Sequence, residues 1–343
     1  MILSICSAAI FFVMARPFNI KKDITLNSTL SLLTEPDDGI EPVLAMIRTA
    51  TTSVDLVMYE LDDARIEAAL ASDEKRGVAV RVILSSGYKG ASTTMNRAEF
   101  AFLYANGVPV RWSPTYFSLT HEKSLVVDGT RALIMTFNLV SKYYATGRDF
   151  GIFDDDPRDI AAMERTFNTD WKGSGTADPA RMTQGGNHGD GGDDLVWSPG
   201  SAESLIDLIR SAKKSLYIYN EEMGDMDITK AFIDAAERGV AVYVDMTGAS
   251  EWKWEFEELM TAGVHVRTYV DSNDAPLYIH AKMIIVDSGS AFARAFVGSE
   301  NFSATSLNEN RELGIMISNQ NIIAGLMKTF TDDWRDAMPF LLY

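Results

Sequence analysis

The stretch HEKSLVVD at residues 121–128 recurs as HAKMIIVD at residues 280–287. In both copies one residue separates a histidine from a lysine, and four residues separate that lysine from an aspartate. Alternate residues of a β-strand project from the same face, so each histidine and its lysine are predicted to point together from a strand. The chain has only four histidines, and two of them lie in these copies, which indicates a functional repeat.

The similarity extends outward from these two stretches. Apolar residues at the spacing of an amphipathic helix occur at 42–50 and at 204–212, and a strand pattern follows each, at 53–59 and 215–221. A second helix and a second strand then precede each copy in the same order. Helices that alternate with strands are typical of a sheet covered by helices on both faces. We therefore predict the α/β class: two similar tandem domains, each a mixed, largely parallel sheet flanked by helices.

This duplication divides the chain into segments. Repeat 1 is predicted over residues 30–172 and repeat 2 over 195–343, and the stretch 173–194, rich in glycine and aspartate, is predicted to be a flexible linker. Residues 1–15 are almost wholly apolar, as in a signal peptide, although the usual basic region before the apolar part is absent. We expect a signal peptide or N-terminal anchor, and hence export (periplasmic or extracellular) or membrane attachment; a cytoplasmic location stays open.

The composition indicates a folded globular protein that is strongly acidic. Hydrophobic residues make up 46% of the chain, and the net charge is −17. Such a charge repels nucleic-acid backbones at long range and disfavours a nucleic-acid partner, although a cleft can still hold a local positive cluster. The single cysteine, Cys6, excludes an internal disulfide and a cysteine-based zinc site, and neither a metal nor another cofactor is expected.

Matching polar residues accompany each copy of the motif. They are two histidines, two lysines, two asparagines and two acids: His121, His280, Lys123, Lys282, Asn138, Asn301, Asp149 and Glu312. One histidine can be neutral and attack phosphorus while the other donates a proton, since the unperturbed pKa of histidine is ~6.5. Lysine and amide groups bind phosphate oxygens, and a carboxylate beside each histidine can orient its ring. The set predicts cleavage of a phosphodiester in two steps, through a phosphohistidine and without a metal.

On these residues the chain resembles the phospholipase D superfamily, whose signature, His-x-Lys-x4-Asp followed by Gly-Ser-x-Asn, occurs twice in one active site. The resemblance covers about residues 35–340. It implies that the repeats pack about a pseudo-twofold axis with a single site between them. By the usual family order it implies His121 as the nucleophile and His280 as the general acid. It also implies a set of residues that hold the phosphate, namely Lys123, Lys282, Asn138 and Asn301.

The two copies differ in the second half of the signature. The second repeat has the full pattern, GSEN at 298–301, whereas the first repeat has MTFN at 135–138. Thr136 keeps a hydroxyl, and both Thr136 and Ser299 are expected to contact the substrate. The methionine before Thr136 adds bulk where glycine allows close approach, which changes the shape of that phosphate subsite. The aspartates that close the His-x-Lys motifs are expected to be structural.

The motifs do not identify the substrate, because lipases, nucleases and transferases can share one fold. The expected export and the acidic charge favour a phospholipid, whose phosphatidyl group is hydrolysed or transferred at a membrane surface. A nuclease with the same residues is the alternative, and a degenerate phosphate-binding protein without turnover is a third. Cardiolipin synthases share the intermediate but usually have clearer membrane helices. A monomer is expected; the head group and the choice between water and an alcohol as acceptor stay open.

Overall fold

The computed structural model of this chain describes residues 30–87, 94–175, 189, 192, 194–248, 250–272 and 275–341. The apolar segment 1–15 lies outside these residues, as does most of the predicted linker at 173–194. Gly173 ends a long helix, so helical structure continues just past the predicted start of the linker. No helix among the described residues is long and apolar enough to cross a lipid bilayer.

The first repeat is an ordered succession of strands and helices. Its elements are β1 (Ser31–Glu35), α1 (Glu41–Arg48), β2 (Ser53–Met58), β3 (Leu61–Asp62), α2 (Ala64–Arg76), β4 (Ala79–Leu84), α3 (Arg97–Ala105), β5 (Val110–Trp112), β6 (Ser124–Val127), β7 (Arg131–Met135), β8 (Leu139–Val140), a 3₁₀ turn (Ser141–Tyr143), β9 (Gly147–Asp154) and α4 (Pro157–Gly173).

The second repeat follows nearly the same succession. Its elements are β10 (Leu195–Ser198), α5 (Ser201–Ser211), β11 (Ser215–Tyr219), α6 (Met226–Glu237), β12 (Ala241–Gly248), a 3₁₀ turn (Ser250–Trp252), α7 (Lys253–Thr261), β13 (His265–Val270), β14 (Tyr278–Ile279), β15 (Lys282–Val286), β16 (Arg294–Gly298), α8 (Ala304–Asn308), β17 (Glu312–Ile317), α9 (Gln320–Asp336) and β18 (Met338–Pro339).

Each repeat is built on one mixed sheet, which confirms the predicted tandem α/β architecture. The strand order is β1-β9-β7-β6-β2-β4-β5 in the first sheet and β10-β17-β16-β15-β11-β12-β13-β18 in the second. The prediction that the sheets are largely parallel is wrong, because antiparallel pairings outnumber the parallel ones, which are β2-β4-β5, β11-β12-β13 and β14-β9. Each motif strand returns through a short turn into the next strand, β6 into β7 and β15 into β16, and such a turn can join only antiparallel strands.

Capping residues set where matching helices begin. Asp63 and Asp225 each accept a hydrogen bond from a backbone amide in the first turn of the helix that follows, α2 and α6 respectively. Gly77 ends α2 with φ at 90°, a left-handed conformation that glycine adopts without strain. The parallel strands β4 and β12 therefore start at matching points beside β2 and β11.

Each aspartate that closes a motif ties its strand to the start of the neighbouring strand. Asp128 Oδ1 accepts a hydrogen bond from the Ser53 amide at 3.0 Å, and Asp287 Oδ1 accepts one from the Ser215 amide at 3.0 Å. Burial would raise the pKa of Asp128, but its several amide and hydroxyl donors outweigh burial and hold the pKa well below its usual range. These contacts fix β2 against β6 and β11 against β15.

The two repeats share a hydrophobic core. One large cluster lies within each repeat, and another large cluster includes side chains from both, among them Val126 and Ile134 of the first repeat and Met283 and Ile285 of the second. Burial of apolar surface between the sheets stabilises one fixed arrangement of the repeats. The motif strands lie at this junction.

Two buried ion pairs also join the repeats. Arg148 of the first repeat contacts Asp333 of the second, with 2.6 Å between Nε and Oδ2. Arg311 of the second repeat contacts Asp170 of the first, with 2.8 Å between Nε and Oδ2, and these side chains are only 1% and 6% exposed. Each arginine directly precedes one of the predicted catalytic acids, so the ion pairs fix the positions of those acids.

Candidate active site

The His-x-Lys segments are extended, but strand pairing within their own sheets starts later than predicted. It begins at Ser124 in the first repeat and at Lys282 in the second, so both histidines precede the strands. Their backbone amides are bonded to the other repeat instead. The His121 amide donates to the Arg311 carbonyl at 2.9 Å, and the His280 amide donates to the Arg148 carbonyl at 3.2 Å. Each histidine is therefore held by backbone of the opposite repeat.

The first contact between two of the predicted catalytic residues crosses between the repeats. His121 Nδ1 lies 2.9 Å from Glu312 Oε2, and the Glu312 side chain is fully buried. Burial lowers the pKa of His121 to about 4, although the Glu312 carboxylate opposes this shift. Burial alone would raise the pKa of Glu312, but the adjacent His121 and Lys123 outweigh it and keep the pKa below its ordinary value. The Glu312 carboxylate is therefore bonded to Nδ1 of the His121 ring, and Nε2 is the nitrogen on the other side of that ring.

The second pair crosses in the opposite direction. His280 Nδ1 lies 2.9 Å from Asp149 Oδ1, and the His280 side chain is 16% exposed. A second carboxylate reaches the other nitrogen, since His280 Nε2 lies 3.5 Å from Glu221 Oε2. A protonated His280 can thus donate toward both carboxylates at once. The two histidines differ in burial and in the number of acids beside them.

The two motif hydroxyls contact the predicted catalytic acids. Thr136 and Ser299 are fully buried, and their contact with the substrate stays a prediction. Thr136 Oγ1 donates to Asp149 Oδ1, and Ser299 Oγ donates to Glu312 Oε2 at 2.7 Å. A hydroxyl that donates to an acid and also accepts a backbone amide, as both of these do, fixes the direction of that carboxylate.

Both motif lysines are buried beside the histidines. Lys123 is 1% exposed and Lys282 is fully buried, and each Nζ donates to the carbonyl of its own histidine, at 2.6 and 2.5 Å. Burial lowers the pKa of Lys123 to about 7. Lys123 Nζ also lies 5.1 Å from the centre of the Tyr59 ring. Both lysine amines therefore lie next to the histidine backbone, where little water can reach them.

A single cleft of about 1040 Å³ opens over both histidines. Asn138 and Asn301 line it with the two histidines and Asp149. The described residues that line it include one lysine, Lys142, and no arginine. They also include seven carboxylic acids: Glu35, Glu60, Asp149, Glu221, Glu222, Glu251 and Asp271. The cleft thus places the two histidines and two asparagines among strongly acidic walls.

Comparison with known proteins identifies the architecture that carries this cleft. The family model described as "Cardiolipin synthase, PLD-like domain" matches residues 43–171 and 205–334, one match for each repeat. The chain belongs to the phospholipase D superfamily.

Similar members of the phospholipase D superfamily include two bacterial enzymes named cardiolipin synthase. The one from Staphylococcus aureus (strain Mu50) is 23% identical over 90% of this chain and 68% of its own length. The one from Listeria monocytogenes (strain HCC23) is 24% identical over 90% of this chain and 70% of its own. The crystal structure of phosphatidylserine synthase from Haemophilus influenzae superposes with a TM-score of 0.71 over 91% of this chain and 87% of that one, and at 12% identity this shows a shared fold.

Three residues of this phospholipase D-type site were not found by sequence reasoning. Glu221 and Tyr59 follow the first central strand of each repeat, and Tyr59 packs edge-on against the His121 ring at 4.6 Å between centres. Their place at the carboxyl end of a parallel strand, where ligand sites often lie, was an available signal. The sequence gives no such signal for Glu35, because this residue ends a strand at the edge of the sheet. It is 1% exposed and lines the cleft beside Asp149, and burial and that neighbour raise its pKa to about 7.

Proposed function

We propose that the protein transfers the phosphatidyl group of a phospholipid through a phosphohistidine formed at this cleft. The single observation that carries the proposal is the pair of crossed contacts, His121 with Glu312 and His280 with Asp149, which bring two oriented imidazoles to one cleft. Two-step transfer at phosphorus needs one nucleophile and one proton donor, which two such histidines supply. An alcohol or water then accepts the group.

His121 is the nucleophile in this mechanism. Its Nδ1 is engaged by Glu312, and a ring with a pKa of about 4 is neutral at physiological pH, so Nε2 presents a lone pair. Attack of Nε2 on phosphorus forms the N–P bond as the bond to the head-group oxygen breaks. The positive charge that develops on the ring is stabilised by the buried Glu312 carboxylate.

His280 supplies and recovers the proton. It donates a proton to the head-group oxygen as that oxygen leaves, and Asp149 stabilises the charged ring before this step. In the second step the neutral His280 takes a proton from the incoming alcohol or water, which attacks phosphorus and releases His121. The two lysines supply positive charge and the two asparagines donate hydrogen bonds to the phosphate oxygens, so the residues of the site provide the charge stabilisation without requiring a metal ion.

The substrate class is supported by the relatives and by the charge of the cleft. Two of the similar proteins are named cardiolipin synthase, an enzyme of phospholipid synthesis. Acidic walls oppose the entry of a polyanionic nucleic acid, whose binding depends on neutralising many phosphates. A single phosphodiester with a neutral or cationic head group meets no such penalty. The ring of Tyr278, which lines the cleft, is 36% exposed and could contact a membrane surface. The export or anchoring predicted for residues 1–15 is part of the same proposal.

A lipid assay tests this function directly. Purified protein is incubated with phosphatidylcholine vesicles and EDTA, with and without added glycerol, and both the released choline and the new lipids are measured. We expect head-group release that needs no metal, and a shift of product from phosphatidic acid to the glycerol ester as glycerol is raised. Cleavage of labelled single-stranded DNA, with no lipid turnover, would contradict the proposal and favour a nuclease.

The pH dependence of kcat/KM follows from two buried groups. His121 must be neutral, so the rate should rise as pH increases through about 4. Lys123 must be charged to hold phosphate, so the rate should fall as pH increases through about 7. Both limbs are measured on the free enzyme through kcat/KM. In Lys123→Arg the cation persists at high pH, and a basic limb that stays unchanged in this variant would show that another group causes it.

A further inference from the structure

Glu221 lies among the groups that are proposed to bind phosphate in the second repeat. Its Oε2 atom is 3.1 Å from Lys282 Nζ, 3.5 Å from His280 Nε2 and 3.5 Å from Asn301 Nδ2. A histidine, a lysine and an asparagine converging on one oxygen is the arrangement expected around a non-bridging phosphate oxygen. In this structure the carboxylate of the chain itself takes that position.

The first repeat has no acid at the corresponding place. Ser53 and Ser215 are equivalent, because each donates its amide to the aspartate that closes its motif, at 3.0 Å in both cases. Six residues later, the first repeat has Tyr59 and the second has Glu221. Tyr59 contacts His121 and Lys123 through its ring, so it adds no negative charge to that subsite. The two phosphate subsites are therefore unequal.

We propose that Glu221 is a specificity-determining residue that competes with phosphate for the Lys282 subsite and rejects dianionic phosphates in favour of monoanionic phosphodiesters. The inference rests on the proposed function in one respect, that the cleft binds a phosphate. For a phosphate oxygen to reach the same donors, the carboxylate must turn aside, and it then remains a close negative neighbour. Repulsion between like charges grows with the charge of the ligand.

The surroundings of Glu221 allow such a turn. Its other oxygen, Oε1, accepts a hydrogen bond from the Tyr278 hydroxyl at 3.1 Å. The side chain is 27% exposed, so it faces the open cleft and not the core. Burial would raise the pKa of Glu221, but Lys282 and His280 outweigh burial and hold it well below its usual range, so the group stays charged across neutral pH.

This discrimination has a use in the proposed reaction. The substrate is a phosphodiester with one negative charge, whereas hydrolysis yields a phosphomonoester, which carries up to two charges because its second pKa is ~6. A fixed negative charge in the subsite disfavours the monoester and so promotes its release. The same charge keeps free phosphate and phosphorylated metabolites from occupying the cleft.

The test is a binding measurement that does not depend on turnover. Methyl phosphate and dimethyl phosphate are titrated by calorimetry into the wild-type protein and into Glu221→Gln at a pH of about 7, where most of the monoester is a dianion. The glutamine keeps the shape and one acceptor oxygen but loses the charge, and its other terminal group becomes a donor. We expect methyl phosphate to bind about tenfold more tightly to the variant, a change of ~1.4 kcal/mol, and dimethyl phosphate to change by about threefold or less.

Two further variants make the result specific. Glu251→Gln removes the same charge from an exposed position of the same cleft and should change either affinity by less than about twofold. Glu221→Ala repeats the test if the glutamine variant is poorly folded, as judged by circular dichroism. Weaker or unchanged binding of methyl phosphate to folded Glu221 variants, or equal gains for the two ligands, would overturn the inference. A wild-type protein without lipid activity would contradict the proposed function but leave this comparison intact.

Discussion

His121→Ala is expected to lower the rate of phosphatidyl transfer by about 10⁴-fold or more, on every substrate, because the N–P bond can no longer form. His280→Ala should be as inactive on a natural phospholipid, whose alcohol leaving group needs a proton. On phosphatidyl-p-nitrophenol the two variants should differ, since p-nitrophenolate leaves without protonation. There His280→Ala is expected to release one p-nitrophenol per site in a burst and then stop, because no base activates the acceptor.

The matched control is His265→Ala, which changes a histidine outside the cleft. His265 is on β13 and stacks on Tyr243 at 5.0 Å between ring centres. Its removal should leave the rate unchanged. A burst in His121→Ala and none in His280→Ala would reverse the roles, and near-normal activity of either variant would eliminate the two-histidine mechanism.

Arg311→Met is expected to destabilise the protein by about 3–5 kcal/mol, since it leaves the Asp170 carboxylate buried without its cation. The guanidinium is buried at the junction of the repeats, and the backbone of the same residue holds His121. Urea unfolding measures the change in free energy. We also expect Asp170→Asn to recover part of the loss when it is combined with Arg311→Met, because the uncompensated charge is then absent.

Arg131→Met provides the comparison for this effect. Arg131 pairs with Asp155 at 2.9 Å, but the two side chains are 54% and 29% exposed. Exposed ion pairs contribute about 0–1 kcal/mol, so this variant should unfold at almost the same urea concentration as the wild type. Equal losses in Arg131→Met and Arg311→Met would mean that the cross-repeat ion pair does not hold the repeats together.

Much of this architecture could be predicted because the same pattern occurs twice in the sequence. The spacing of His121 with Lys123 and of His280 with Lys282 predicted one composite site, and the structure brings both histidines to a single cleft. The repeated order of helices and strands predicted two α/β repeats, which the family match confirms. The antiparallel half of each sheet was missed because apolar periodicity does not report strand direction, whereas the short turns after the motif strands do.

The pairing of acids with histidines could not be predicted from local pattern. Asp149 and Glu312 were singled out from the sequence, but each of them contacts the histidine of the opposite repeat, 131 or 191 positions away in the chain. That exchange depends on how the two sheets dock. Glu35 was missed for a similar reason, since an acid at the end of an edge strand gives no sign of its burial or its neighbours. The buried positions of Thr136 and Ser299 likewise follow from tertiary packing.

The central claim is that a covalent intermediate forms on one histidine in a site that both repeats build. The most direct test is to incubate His280→Ala with phosphatidyl-p-nitrophenol, quench the reaction, digest the protein and locate the adduct by mass spectrometry. The account predicts a phosphatidyl group on the peptide that contains His121, labile in acid, and none when His121 is also replaced. An adduct on any other residue, or p-nitrophenol release without an adduct, would contradict it.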